Sequence, residues 1–229
     1  MILRSGVQVQ VDWTTIRSGN TPIYAFVATL GYSRVSFVYF TNNMETITFI
    51  ECHKLAFTYF GGVPKHILYD NLKSVVIERN FYGKGLHKFN NEFLDFAKLN
   101  NFKPRLCKPY RAKTKGKVER FNSYLKGNFY YPLVGKLKDA GIIITDTILN
   151  NYITPWLEIA NNRVHGTTHE QPFMRLKEEV KHLQAYVQLV TPTVLPKASD
   201  AENKVQVNVP EVFVLRPNLS LYDQLLGVQ

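Results

Sequence analysis

Cysteines, long apolar runs and acidic residues are all scarce in this sequence of 229 residues. Its two cysteines, Cys52 and Cys107, are far apart and form no CxxC pair. This excludes a disulfide framework and a zinc knuckle and predicts reduced thiols. No uninterrupted apolar stretch approaches the roughly 18 residues of a membrane span, and the N-terminus lacks an apolar signal core followed by a cleavage site. We therefore expect a cytoplasmic protein with no membrane partner.

Positive charge is in excess. The chain has 28 Lys and Arg against 18 Asp and Glu, a formal net charge of +10. Such a balance favours binding to nucleic acid, to an anionic membrane or to an acidic partner, without choosing among them. The charge is concentrated in residues 103–117, which contain seven Lys or Arg and no acid.

The hydrophobic pattern predicts a mixed α/β fold. Apolar and polar residues alternate over 7–16, and two more strand-like segments rich in aromatic and β-branched residues follow. The predicted strands lie at 7–16, 23–32, 33–40, 66–70 and 103–110, and the predicted helices at 44–59, 90–102 and 116–129. The order βββαβαβα predicts a five-stranded mixed sheet, with three antiparallel strands and then parallel strands, flanked by helices.

Four segments are predicted along the chain. Residues 1–135 form the α/β core, and residues 136–186 form a helical extension with helices at about 145–162 and from Pro172. Prolines interrupt residues 187–203, which we predict to be a linker. Residues 204–229 read as the start of a small, incomplete C-terminal β unit.

Three acids stand out by position. Asp12 ends the first predicted strand, Asp70 ends the fourth, and Glu119 lies early in the helix after the fifth. If the first and fourth strands are neighbours, Asp12 and Asp70 meet, and the helix can lay Glu119 across the same end of the sheet. Three carboxylates repel one another unless cations share the site, and two Mg²⁺ ions would suit phosphodiester cleavage. The alternatives are ordinary: a strand-end Asp is commonly a cap or turn residue, and a Glu flanked by Lys is usually a solvated ion pair.

The segments around these acids resemble a known family. "GVQVQVDW", "HILYDNLKSVV" and "CKPYRAKTKGKVERFNSYLK" contain the three acids. Together with "NNRVHGTTHEQPFMRL", they are similar to the catalytic part of IstA-type insertion-sequence transposases. These are DDE enzymes of the retroviral-integrase superfamily with an RNase H-like core, and the resemblance covers about residues 5–180. It implies that Asp12, Asp70 and Glu119 are the catalytic triad and bind two Mg²⁺ ions, for which Mn²⁺ can substitute.

The resemblance also implies an activity and partners. The activity is Mg²⁺-dependent cleavage of DNA 3′ ends and strand transfer of an insertion sequence into target DNA. The partners are transposon-end and target DNA, further copies of the chain in an assembly that is at least dimeric, and an AAA+ helper ATPase of the IstB type. Such proteins act at the bacterial nucleoid. Family members also carry an N-terminal helix-turn-helix region that this sequence lacks, so we expect a catalytic fragment. A catalytically silent DNA-binding remnant and an RNase H-like structure-selective nuclease are the alternatives.

Basic residues near Glu119 are predicted to hold the DNA backbone, since phosphate contacts position DNA without reading its sequence. A merely solvated basic loop is the alternative. Asn122 and Lys126 follow Glu119 at i+3 and i+7, on its helix face. The predicted DNA-binding residues are Arg105, Lys108, Arg111, Lys113, Lys115, Lys117, Arg120, Asn122 and Lys126.

Two histidines, His165 and His169, have the four-residue spacing of a zinc pair. The intervening "GTT" breaks the helix that such a pair requires. We therefore expect loop histidines, either near DNA or in a hydrogen-bonded turn.

Overall fold

The computed structural model describes residues 4–70, 76–78, 88–107 and 116–186. All of them belong to one compact unit, Met1–Gln188. The predicted linker and C-terminal β unit, residues 187–229, lie outside the described residues, and so does the basic segment 108–115.

Five strands form a mixed sheet in the order β3-β2-β1-β4-β7, and β5 and β6 form a separate antiparallel pair. The strands are β1 Gln8–Arg17, β2 Ile23–Leu30, β3 Ser36–Thr41, β4 His66–Tyr69, β5 Val76–Glu78, β6 Lys88–Phe89 and β7 Lys103–Leu106. β1 to β3 pair antiparallel, whereas β4 is parallel to both β1 and β7. The predicted fold class is confirmed, including the pairing of the first strand with the fourth.

Helices cover both faces of this sheet. They are α1 Thr46–Phe60, α2 Asn91–Leu99, α3 Gly116–Leu125, α4 Tyr131–Asp139, α5 Asp146–Asn162 and α6 Pro172–Glu179, and a 3₁₀ turn, Val180–His182, follows α6. A π-helix, Lys126–Tyr130, joins α3 to α4, so the helix predicted at 116–129 was too short. The consecutive residues Phe129 and Tyr130 do not fit a 3.6-residue period. The wider π turn accommodates the extra residue, and both rings are buried.

Strand β2 shows how the two layers are divided, because its side chains alternate between separate cores. Phe26 and Ala28 pack with α1 and α2 on one face. Ala25 and Val27 pack with α3, the π-helix and α5 on the other. A strand buried on both faces reads as a continuous apolar run, as β2 does.

The chain returns from α1 to β4 through a turn that begins at Gly61. Gly61 has φ 76°, and its N–H donates to the carbonyl of Thr58 as the helix ends. A left-handed residue at this position favours glycine. No helix in the described ranges is long and apolar enough to cross a membrane.

Candidate active site

Asp12 lies within β1, not at its end as predicted, and Asp70 follows directly after β4, the strand that runs parallel to β1. The parallel pairing of β1 with β4 sets Gln10 beside Leu68. Each acid lies two residues beyond this pair, so Asp12 shares the face of Gln10, and regular alternation puts Asp70 on the face of Leu68. Asp12 is buried, at 8% exposure, and Asp70 is half-buried.

Helix α3 crosses this face and contacts the first acid. The Asn122 amide Nδ2 donates to Asp12 Oδ2 at 3.0 Å, and both residues are buried. The helix is seated by Val118 and Leu125, which are fully buried in the core beneath it. The other amide atom, Asn122 Oδ1, is buried and has no hydrogen-bond partner among the described residues. The sequence predicted Asn122 near the acids, but not that it is buried or bonded to Asp12.

Glu119 lies one turn before Asn122 on the same helix. Its side chain is exposed, and within the described part of the chain it forms no ion pair. Residues three apart are neighbours on a helix surface, so Glu119 shares the side of α3 that carries Asn122.

The described residues contain no group of three His, Cys, Asp or Glu side chains placed to hold a metal ion. Asp12, Asp70 and Glu119 therefore do not form a closed cage. Their chemistry nevertheless fits Mg²⁺, which prefers oxygen ligands, takes few carboxylates and keeps several waters. The bond from Asn122 occupies one oxygen of the Asp12 carboxylate.

The predicted DNA-binding residues lie in different places. Arg105 is exposed on the edge strand β7, and its pairing with Leu68 puts it on the same sheet face as Asp12 and Asp70. Lys126 is half-buried one turn beyond Asn122. The remaining described residues, Lys117 and Arg120, line a cavity on another side of α3. Lys108, Arg111, Lys113 and Lys115 lie outside the described residues.

Lys117 differs from a freely solvated lysine. Its Nζ lies 3.5 Å from the carbonyl oxygen of Gly31, and the side chain is partly buried. Burial, followed by repulsion from Arg34, lowers the pKa of Lys117 to about 8.

The two histidines form a turn, as predicted. The N–H of His169 donates to the carbonyl of His165 at 2.8 Å, and the N–H of Thr167 donates to His165 Nδ1 at 3.2 Å. His169 has φ 56°, which closes the turn. Cys52 and Cys107 are both buried and are not joined in a disulfide, as expected of reduced thiols.

The chain is similar to known transposases. Residues 3–112 match the integrase core domain family. The chain is 40% identical over 180 residues to a putative transposase for insertion sequence element IS5376 of Geobacillus stearothermophilus, a match that covers 76% of this chain and 42% of that protein. It is 35% identical over 182 residues to the transposase for insertion sequence element IS21 of Pseudomonas aeruginosa, covering 77% and 44%. The chain therefore spans less than half the length of these curated relatives.

Solved structures share the fold at low identity. The catalytic core domain of HTLV-2 integrase, solved in complex with magnesium, superimposes with a TM-score of 0.56 at 20% identity and covers 76% of this chain and 99% of that one. A chain of the simian T-cell lymphotropic virus intasome gives a TM-score of 0.57 at 17% identity, covering 91% and 63%. These likenesses show that the five-stranded sheet with its helices has the RNase H-like fold of those integrase cores. The chain belongs to the insertion-sequence transposases of the DDE superfamily, as the segments around its three acids indicated.

Proposed function

We propose that this chain is the catalytic core of an insertion-sequence transposase, which cleaves DNA 3′ ends and transfers them to target DNA in a Mg²⁺-dependent reaction. The observation that carries the proposal is the arrangement at Asp12. β4, which ends just before Asp70, is parallel to β1, and α3 bonds to Asp12 through Asn122, one turn beyond Glu119. This arrangement supports the proposal that the three acids, from distant parts of the sequence, act at one end of the sheet.

Asp12, Asp70 and Glu119 would hold two Mg²⁺ ions, and Mn²⁺ would also serve. When bound, such ions polarise the phosphate and lower the pKa of the attacking hydroxyl. Asn122 orients the carboxylate of Asp12 by donating to Oδ2. In both reactions one oxygen replaces another at phosphorus, first from water and then from the freed 3′-hydroxyl. No side chain needs to form a covalent bond, and the protein's task is to position the DNA.

The basic residues would supply that positioning. Arg105 is exposed on the face of the sheet that carries Asp12 and Asp70, and Lys126 begins the π-helix that continues α3 beyond Glu119. We propose that both contact DNA phosphates. We propose the same role for Lys108, Arg111, Lys113 and Lys115, because they belong to the acid-free basic segment that precedes α3.

The domain division and the partners are part of the proposal. We assign the catalytic core to residues 1–135 and its supporting helices to 136–186. The support is seen at the edge strand β3, where Asn150 of α5 bonds to both backbone groups of Phe40 and Asn161 bonds to both of Ser36. Joining two transposon ends requires at least a dimer, and we propose an IstB-type AAA+ ATPase as the helper. The protein would act at the nucleoid, within the bacterial cytoplasm.

Cleavage by wild type and by matched variants tests the proposal. Intact and pre-nicked duplexes are incubated with the protein in Mg²⁺ or Mn²⁺, beside Asp12→Asn, Asp70→Asn and Glu119→Gln. Asp139→Asn is the control, because this acid is exposed at the end of α4. We expect product from the wild type and the control only, because removing one carboxylate weakens the metal site.

Two other outcomes would contradict the proposal. If all the proteins bind DNA equally and none cleaves it, the chain is a silent DNA-binding remnant. If the wild type cuts an RNA–DNA hybrid in preference to duplex DNA, the chain is an RNase H-like nuclease.

A further inference from the structure

A second site lies beside α3, away from the helix face that carries Glu119 and Asn122. It is a cavity of about 950 Å³ between α3, the start of β1 and the loop after α5. Among the described residues, four basic side chains line it and no carboxylate does; the four are Arg34, Lys117, Arg120 and Arg163. Polar, apolar and aromatic side chains complete the wall. A cavity of this size holds a ligand of roughly drug-like dimensions.

We propose that this cavity binds one unpaired nucleotide of a DNA strand, with its phosphate on the arginines and its base against Phe121 and Tyr124. The proposal rests on the proposed function to the extent that DNA supplies the nucleotide. Nothing in it depends on cleavage. Guanidinium groups suit the phosphate because their planar donors match its oxygens in pairs.

Without a bound anion, the basic side chains of the cavity repel one another and leave a buried hydrogen-bond donor unpaired. Arg34 Nη1 is buried and has no hydrogen-bond partner in the described part of the chain. Burial, and then the nearby Arg34, Arg120 and Arg175, lower the pKa of the adjacent His165. Burial and Arg34 likewise lower the pKa of Lys117 to about 8. A bound phosphate would relieve this repulsion and satisfy the orphaned donor.

One acid that does not line the cavity counters these positive charges. Glu179 is fully buried and acts on Arg34 and Lys117 through its charge. Its two carboxylate oxygens already accept from the backbone N–H groups of Gly6 and Ser33. It therefore offsets part of the positive charge and leaves the cavity's own donors available to a ligand.

The aromatic wall suits a base. Tyr124 lies 5.3 Å from Trp156 between ring centroids, at an interplanar angle of 33°, and Phe121 packs 6.1 Å from both rings. The supported rings of Phe121 and Tyr124, each half-buried, form part of the cavity wall. Stacking on such rings is worth about tenfold or more in affinity per base and tolerates any sequence.

The ligand is an unpaired nucleotide rather than a paired one. A base within a duplex must first be unstacked and unpaired before it can enter a pocket, which costs a few kcal/mol. A single-stranded overhang avoids that cost. The cavity therefore predicts preference for duplexes with overhangs over blunt duplexes of equal length.

Binding by the full chain in EDTA tests this, since the absence of divalent metal separates binding from cleavage. The probes are a duplex with a single-stranded overhang and a blunt duplex. Binding is followed by the tryptophan emission of the protein, to which Trp156 contributes through its contact with Tyr124. We expect the overhang to bind about tenfold more tightly and to change the emission. Arg163→Glu and Tyr124→Leu should remove this preference. Lys138→Glu, the same charge change at an exposed residue of α4, should weaken both duplexes equally and keep the preference.

Competition by free ligands shows where the bound nucleotide comes from and whether its base contributes to binding. If dAMP competes with the overhang duplex and inorganic phosphate at equal concentration does not, the base contributes as proposed. If phosphate competes equally well, the stacking role is wrong. If dAMP binds but the overhang gives no advantage, the nucleotide does not come from DNA. Equal binding of both duplexes by the wild type together with no binding of dAMP, or equal effects of Arg163→Glu and Lys138→Glu, would overturn the site itself.

Discussion

His53 is a polar group enclosed by aromatic rings. Its Nδ1 lies 2.7 Å from the carbonyl oxygen of Phe49, and its Nε2 lies 2.9 Å from the hydroxyl of Tyr69. A carbonyl can only accept, so Nδ1 carries the proton and the bare Nε2 accepts from the Tyr69 hydroxyl. Both ring nitrogens are thus satisfied in the neutral form. Burial, only partly opposed by the bond to Phe49, lowers the pKa of His53 to about 4.

This network predicts a pH-dependent loss of stability. In the unfolded chain His53 takes up a proton near its ordinary pKa of 6.5, whereas in the folded chain it stays neutral until about pH 4. The stabilisation is therefore present above pH 6.5 and is lost as the pH falls toward 4, by on the order of 3 kcal/mol. The double replacement His53→Phe with Tyr69→Phe should remove most of this loss, measured as the difference between the unfolding free energies in urea at pH 7.5 and pH 4.5. The exposed control His169→Gln should keep the difference, and an unchanged difference in the double variant would contradict the assignment.

At the scale of elements, local pattern predicted much of the fold. Period-two alternation fixed β1, with Val9 and Val11 in the core, and apolar spacing fixed α5 almost to its ends. What it missed depends on contacts between distant segments. Asn122 reads as a surface residue of an amphipathic helix, yet it lies over Asp12, 110 residues earlier in the chain. Glu179 sits beside exposed Glu178 in a charged run, and nothing local distinguishes the two.

The structure separates these neighbouring glutamates by burial. Glu179 accepts from Gly6 N at 3.2 Å and from Ser33 N at 2.8 Å, so it joins α6 to the segment before β1 and to the turn between β2 and β3. Glu179→Ala would leave two buried donors and two nearby cations without this acceptor. We expect unfolding free energy to fall by about 3 kcal/mol. In urea unfolding, Glu178→Ala should have little effect, because Glu178 is exposed and its ion pair is with exposed Lys181. Equal effects of the two variants would show that Glu179 does not join these elements.

For the whole molecule, the net charge of +10 attracts DNA in general and does not define a binding site. Contacts with phosphates differ from this background, because each one releases counterions and steepens the dependence of log K on log salt concentration by about 0.9 for duplex DNA. Replacing Lys113 and Lys115 by Ser should therefore make the slope shallower by about 2. Replacing Lys136 and Lys138, exposed on α4, removes the same charge. If duplex-binding titrations from low to high salt give both pairs the same slope, the segment before α3 acts only through net charge.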